Sequence, residues 1–234
     1  MVTGQQLVDL GKRRIGDKYV FGTMVPKNNP AWAGPWDCAE FVSWLIYQVS
    51  GKLYGCEIDS ANAENADAFT GYFNRDAHSL GKIISISEAS STPGALVLRM
   101  SVSEIPGHIV VSDGKGGTVE AHSTKRGVIA STLSDRRWDC GILVPWIDYS
   151  KVPSQPVITP SGIVYRVTKP QLMKGAKIGE IQQALINAGF KPGTPDNVYG
   201  PKTARAVADF QEKQGLVVDG EVGRNTASAL GVTL

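Results

Sequence analysis

The chain has 234 residues, of which 42% are hydrophobic and 20% are charged, and its formal net charge is +2. These values are typical of a globular protein with room for one domain of about 150 residues and a smaller companion. The weak positive charge argues against nucleic-acid binding. No apolar run reaches the length that crosses a bilayer, so no membrane span is expected.

A lone cysteine stands at the start of the most clearly predicted helix. Apolar residues recur at helical spacing over 41–49, and Ser50-Gly51 supplies a stop. Asp37 is suited to cap the first turn, and Glu40, three residues later, is suited to close a capping box. Cys38 then lies at the positive end of the helix dipole. Because that end stabilises thiolate over thiol, we expect a lowered pKa for this cysteine.

A histidine opens an apolar strand later in the chain, where Gly107-His108 precedes Ile109-Val110-Val111. A nucleophile at a helix start that meets a base on a sheet is the plan of a papain-like cysteine hydrolase. We therefore predict Cys38 as the nucleophile and His108 as the base. The alternative for Cys38 is a small buried hydrophobic residue without chemistry.

The strand that begins at His108 is predicted to belong to a hairpin. A glycine-rich turn over 113–117 follows it, and the chain returns over 118–122. Strand alternation places Glu120 and His122 on one face. Either side chain can orient an imidazole, so both are candidates for a third catalytic residue.

Three segments carry a resemblance to a known family: Tyr19-Val20-Phe21-Gly22, Asp37-Cys38 and Gly107-His108-Ile109-Val110-Val111. Over about residues 5–147 the chain resembles the NlpC-type cell-wall cysteine peptidases, a papain-like family that cuts peptidoglycan stem peptides. The resemblance implies an α+β domain in which a helix packs on an antiparallel sheet. It also implies the roles of nucleophile and base predicted above, with the ring of Tyr19 lining the site.

The resemblance bears on the third catalytic position as well. The family's usual spacing of twelve residues from the base leads to Glu120, whereas its usual residue types, His, Asn or Gln, are met by His122. We give the spacing more weight and keep both residues as candidates. Asp37 and Trp36, which precede the nucleophile, are predicted to contribute to substrate binding together with Tyr19.

The chain departs from the family's pattern at three places. Asp-Cys-Ala-Glu-Phe at 37–41 replaces the common Asp-Cys-Ser-Gly-Phe, Gly22-Thr23 replaces Gly-Gly, and Gly94-Ala95-Leu96 replaces Gly-Asp-Leu. None of these changes replaces the predicted nucleophile, Cys38. These changes predict a substrate groove with a different wall.

Four side chains of the predicted site are competent zinc ligands: Cys38, His108, Glu120 and His122. The sequence has neither a paired-cysteine motif nor a His-Glu-x-x-His helix, so neither a metal nor another cofactor is expected. Cys56 and Cys140 are isolated in sequence. Their spacing leaves open whether they pair in an oxidising compartment.

A short internal repeat lies near the end of the chain. Residues 196–207 align without gaps on 219–230 and match at Asp, Gly, Thr and two Ala. Each copy predicts a turn followed by a helix start, in which the threonine either caps or occupies the first turn. Apolar residues over 178–186 predict a third amphipathic helix that ends at Gly189. Three short helices over 175–234, with these motifs, resemble the common three-helix peptidoglycan-binding domain.

The predicted organisation is a hydrolase domain over 1–149, a Pro-rich linker over 150–174 and a small all-α binding domain over 175–234. From residue 151 onward there are ten Lys and Arg against six Asp and Glu. This mildly basic part suits an anionic wall polymer. An extended linker would let one domain anchor while the other samples nearby substrate.

The sequence thus predicts a monomeric peptidoglycan hydrolase that cleaves an amide bond of the stem peptide through a Cys-His thiolate mechanism. The alternatives are an N-acetylmuramoyl-L-alanine amidase and a catalytically idle wall-binding protein. Action at the bacterial cell wall is expected. Because the first residues lack the basic-then-apolar order of a signal peptide, the sequence predicts delivery by a phage or a secretion system, or a removed leader.

Overall fold

The computed structural model describes residues 2–59, 61–102, 105–150, 163–168, 170–216 and 218–234. The chain divides into two compact units. The first comprises Met1–Met100, Gly107–Leu133 and Trp138–Thr159, and the second comprises Ser101–Pro106, Ser134–Arg137 and Pro160–Leu234. Within the predicted linker, residues 151–162 and 169 lie outside the described residues, so the linker stays a prediction.

The first unit combines helices with strands. Its described helices are α1 (Gly4–Lys12), α2 (Cys38–Ser50), α3 (Thr70–Ser79) and α4 (Ile86–Ser90). Its described strands are β1 (Lys82–Ile84), β2 (Leu96–Arg99), β3 (His108–Ser112), β4 (Gly117–Ser123), β5 (Gly127–Thr132) and β6 (Cys140–Leu143). The strands form one antiparallel sheet in the order β1-β6-β2-β3-β4-β5.

The central helix α2 occupies the predicted place in the chain. The Asp37 side chain caps it by accepting the backbone N–H of Glu40 at 2.8 Å, and Gly51 ends it with a left-handed φ of 69°. The second half of the predicted capping box is wrong. The Glu40 carboxylate turns into the interior instead of back to the helix start, because a buried lysine and two backbone N–H groups bind it there.

The core of this unit lies between α2 and the sheet. Apolar side chains of the helix, such as Phe41 and Leu45, pack with strand residues such as Leu96, Ile109 and Val119. The β3–β4 hairpin forms as predicted, with its turn over 113–116. The predicted helix-on-antiparallel-sheet fold is therefore confirmed, and it brings the start of α2 to the start of β3.

The second unit contains the three predicted helices, α5 (Ala176–Asn187), α6 (Pro201–Gln214) and α7 (Arg224–Leu230). Their apolar faces share one core. Thr203 and Thr226 lie in the first turns of α6 and α7 rather than at their caps. No helix in the described part of the chain is both long enough and apolar enough to cross a membrane.

The internal repeat of the second unit is organised around two buried glutamines, Gln182 and Gln211. Each amide nitrogen donates to an aspartate, to the backbone carbonyl two residues beyond it and to a threonine, while each amide oxygen accepts two backbone N–H groups. The side-chain partners and carbonyls belong to Asp196, Val198 and Thr203 around Gln182, and to Asp219, Glu221 and Thr226 around Gln211. The aligned repeat contains the aspartates and threonines but not the glutamines that join them.

Candidate active site

Cys38 is the first residue of α2 and is only 7% exposed. Its sulfur lies at the start of β3, where the backbone N–H of Ile109 donates to it. Burial, followed by the neighbouring Asp37 carboxylate, raises the pKa of the thiol to about 12, although this N–H and the Arg99 guanidinium act in the opposite direction. The predicted lowering of this pKa is wrong, because desolvation outweighs the effect of the helix end.

His108 lies at the first position of β3 and is oriented by a carboxylate. Its Nε2 donates to Oε2 of Glu120 at 2.6 Å. Glu120 is fully buried on β4, and its other oxygen accepts the hydroxyl of Thr118 at 2.7 Å. Thr118 and Glu120 are two residues apart on one strand and therefore share a face. The carboxylate is thus fixed at both oxygens.

The second candidate for the third position takes a different partner. The Nδ1 atom of His122 lies 3.0 Å from Oγ of its neighbour Ser123. The pairing of β4 with β5 shifts register between Ala121 and Ser123, which interrupts the regular alternation at His122. Between the two sequence candidates, the structure therefore places Glu120 on the imidazole of His108.

Tyr19 lies close to Cys38, the predicted nucleophile. It pairs with Trp36 in an isolated bridge, two residues before Cys38. Burial raises the pKa of Tyr19 well above its ordinary value, and the nearby charges of Cys38 and Asp37 raise it further. The lining of the groove by this ring stays a prediction.

Trp36 has a packing role instead of the predicted contact with substrate. Its side chain is fully buried against Phe41 and Trp44, and its indole nitrogen donates to the Asp17 carboxylate at 2.9 Å. A side chain without exposed surface presents nothing to a ligand. Sequence reasoning placed it in the groove because it adjoins the nucleophile, whereas strand-like backbone before the helix turns it inward.

Asp37, the third predicted substrate contact, is 8% exposed. Burial raises the pKa of its carboxyl to about 7, and the backbone N–H groups of Glu40, Gly22 and Ala39 oppose that rise only in part. The side chain therefore caps α2 with a carboxyl whose pKa lies near neutrality.

Two residues near the imidazole were missed by sequence reasoning. Arg99 on β2 pairs with His108 on β3, and directly opposed residues of antiparallel strands point to the same side of the sheet. The Trp138 ring stacks on His108 with their centroids 6.2 Å apart. Arg99 could be recognised from the strand pattern only once the pairing of β2 with β3 is known. Trp138 precedes β6 and has no local signal in the sequence.

No group of three or more His, Cys, Asp or Glu side chains in the described ranges is arranged to hold a metal ion. Cys38, Cys56 and Cys140 are all free thiols. Cys56 is buried beside the hydroxyl of Ser43, with 3.1 Å between sulfur and oxygen.

Residues 174–230 match the PG_binding_1 family of peptidoglycan binding domains. Among curated proteins, the N-acetylmuramoyl-L-alanine amidase CwlL of Bacillus licheniformis is 46% identical over 77 residues, which are 30% of this chain and 21% of that protein. The chain thus spans about a fifth of the length of this relative. The amidase relatives match only the binding domain.

Solved structures of NlpC/p60 domains resemble the larger part of the chain. The NlpC/p60 domain of the peptidoglycan hydrolase SagA has 21% identity and a TM-score of 0.43, covering 61% of this chain and 100% of that one. The P60 domain of antigen MAP1204 from M. avium subspecies paratuberculosis has 17% identity and a TM-score of 0.42, covering 62% and 96% of the two chains.

Proposed function

We propose that the protein is a peptidoglycan hydrolase that cleaves an amide bond of the stem peptide with Cys38 as nucleophile. The observation that carries this proposal is that His108, whose Nε2 is held by the buried carboxylate of Glu120, directly precedes Ile109, whose backbone N–H donates to the sulfur of Cys38. A base oriented by a buried carboxylate, beside a cysteine at a helix start, is the constellation that nucleophilic acyl transfer requires. The C-terminal match to peptidoglycan binding domains supports the choice of substrate.

The raised thiol pKa defines the first step. Because the buried sulfur is protonated at neutral pH, His108 removes its proton as the sulfur attacks the carbonyl carbon. Nε2 of this histidine is held by Glu120, so Nδ1 exchanges the proton with Cys38. The carboxylate stabilises the imidazolium that forms, and it keeps the ring in the required tautomer.

The remaining steps complete the hydrolysis. The carbon–nitrogen bond of the tetrahedral intermediate breaks as the imidazolium returns its proton to the departing amine, leaving a thioester on Cys38. The same imidazole then activates water, which releases the acid and restores the thiol. Backbone N–H groups at the start of α2 are suited to stabilise the negative oxygen during both attacks.

The binding domain supplies proximity rather than chemistry. Its attachment to the wall raises the concentration of the catalytic unit at its substrate without adding a transition-state contact. Loss of binding would therefore change the dependence on substrate amount more than the limiting rate. The proposed site of action is the bacterial cell wall.

Mass spectrometry of the fragments released from purified peptidoglycan tests the proposal. A new amino terminus within the stem peptide is expected, and it identifies the bond. Release of the entire stem from muramic acid would instead support the amidase alternative, which the same cysteine and histidine can perform. Wall binding without any release by the freshly reduced protein would support the idle wall-binding alternative and refute the hydrolase.

A further inference from the structure

Glu40 is a buried carboxylate in the first turn of α2, two residues after the nucleophile, where the related motif has glycine. Its side chain is 0% exposed. Oε2 accepts the backbone N–H of Val25 at 2.8 Å and Nζ of Lys27 at 2.5 Å, while Oε1 accepts the backbone N–H of Ala68 at 2.7 Å. One carboxylate thus joins the nucleophile's helix to two separate segments of chain.

Lys27, its partner, is equally buried and extends the connection. Besides Glu40, Nζ donates to the carbonyl of Ala66. The backbone N–H of Lys27 donates to the carbonyl of Ala63 at 2.7 Å, and its own carbonyl accepts the Gln48 side chain near the other end of α2. The ion pair is therefore the junction of α2, segment 25–27 and segment 63–68.

Segment 25–27 continues the part of the chain that carries Tyr19 and Gly22. The backbone N–H of Gly22 donates to Asp37, the residue before the nucleophile. Tyr19 is linked electrostatically to Cys38. Anchoring this segment to Glu40 therefore fixes one side of the site relative to the sulfur.

Segment 63–68 leads to the other catalytic element. It runs into α3, whose first residue is Thr70. Thr70 packs so closely on Gly107 that a Cβ at that glycine would lie 2.4 Å from the threonine hydroxyl oxygen. Gly107 directly precedes His108. Anchoring Ala68 to Glu40 therefore fixes the approach to the base.

A buried ion pair is weak evidence for stability, because the cost of removing both charges from water offsets much of their attraction. A hydrophobic pair of similar volume would hold the core together as well. The distinctive property of this pair is that its hydrogen bonds position two backbone segments at once. These segments adjoin Gly22 and Thr70, which contact Asp37 and Gly107, the residues that precede Cys38 and His108.

We propose that the Glu40–Lys27 pair is a positioning device that fixes both walls of the substrate groove around Cys38, and so determines how the stem peptide binds. The proposal rests on the function proposed above. Neither residue touches the reacting atoms in this role. The proposal explains why glutamate replaces glycine in the Asp-Cys-Ala-Glu-Phe segment: the glutamate side chain binds Lys27 and two backbone N–H groups that a glycine could not bind.

The test compares the full-length protein with Glu40→Gln, Lys27→Met and the double variant Lys27→Met/Glu40→Gln. The doubly neutral variant avoids an unpaired buried charge, so it keeps the experiment informative where a single variant fails to fold. Lys82→Met/Glu88→Gln, which removes two exposed charges of the same unit, is the matched control. The measurements are kcat and KM on a soluble stem peptide, thermal unfolding, and the rate of Cys38 alkylation by iodoacetamide.

The expected result separates positioning from packing. The unfolding temperature of the double variant should be higher than that of either single variant. Its KM should stay about tenfold or more above that of the parent protein, while its rate of Cys38 alkylation should differ from the parent rate by less than about threefold. Parental KM and kcat in the folded double variant would show that the pair only stabilises the core, and would overturn the proposal. Absence of hydrolysis by the parent protein would refute the proposed function, and the positioning role with it.

Discussion

In the second unit, Gln182 and Gln211 each bind the same set of partners, an aspartate, a threonine and backbone groups. The first unit instead buries the charged side chains Glu40, Lys27 and Glu120 in arrangements that occur once. A neutral amide with all its hydrogen bonds made costs little to bury, so it can be used twice to hold turn and helix together. Buried charges cost far more to desolvate. The glutamine networks are thus a structural device used twice, whereas each buried charge of the first unit has a partner of its own.

Cys38, the proposed nucleophile, gives the largest expected difference between the units. Cys38→Ala should abolish the release of soluble wall fragments, because no other group supplies the attacking sulfur. Sedimentation with insoluble wall should be unchanged, since binding belongs to the second unit. Residual release by the alanine variant would contradict the cysteine mechanism.

Glu120 is expected to give the next largest effect. Glu120→Ala should lower the limiting rate about a hundredfold or more, because His108 loses the acceptor that fixes its tautomer. Glu120→Gln should recover part of the loss, since an amide oxygen still accepts this hydrogen bond. Steady-state kinetics on a soluble stem peptide measure both variants.

His122→Ala is the matched control for that experiment. Its partner is Ser123, so the limiting rate should change by less than about tenfold. The reverse ranking of the two alanine variants would assign the third position to His122. Equal and small effects would indicate a dyad whose imidazole is oriented by other groups.

The glutamine networks should affect stability without affecting chemistry. Gln211→Leu leaves the two buried backbone N–H groups of Asp219 and Gly220 without their acceptor, and should lower the free energy of unfolding of the second unit by about 2–4 kcal/mol. Gln182→Leu should cost less, because the N–H groups of Asp196 and Asn197 are only partly buried. Chemical denaturation of the full-length chain measures the loss. Hydrolysis of a small soluble peptide should be unaltered, and a changed limiting rate would contradict the division of labour between the units.

The stability of the fold should depend on pH through Asp37, with a smaller effect than those above. Its folded-state pKa of about 7 lies above its ordinary value, so its contribution to stability is present at acidic pH and is lost as the pH rises to 7. Asp37→Asn should therefore raise the unfolding temperature at pH 8 relative to the parent protein, with the difference disappearing towards pH 4.

The same variant should make Cys38 easier to ionise, because the Asp37 carboxylate raises the pKa of the thiol. The pH profile of alkylation should shift to lower pH in Asp37→Asn. A profile identical to that of the parent protein would mean that burial alone sets this pKa.

Replacing either of the other cysteines, or adding a chelator, should change the rate of hydrolysis least. Cys56→Ser and Cys140→Ser should retain activity within about threefold, because neither thiol belongs to the proposed site. Treatment with a chelator should leave the rate unchanged. Loss of activity that is restored by zinc would refute the cysteine-hydrolase proposal.

The local pattern of the sequence determined most of the architecture. Helical spacing after Cys38, the glycine that ends α2 and the glycine-rich hairpin turn each involve residues that are close in the chain, so they could be recognised without a structure. The three helices of the second unit were found for the same reason. The repeat even revealed the aspartates and threonines of both networks, although not the glutamines, which lie at different distances from them.

Only the tertiary structure decided the environment of each site residue. Burial reversed the expected pKa shift of Cys38, placed Trp36 in the core and turned Glu40 towards Lys27. Strand pairing brought Arg99 beside His108 and distinguished Glu120 from His122. The physical reason is that desolvation and register depend on segments distant in sequence, whereas spacing and capping depend on neighbours.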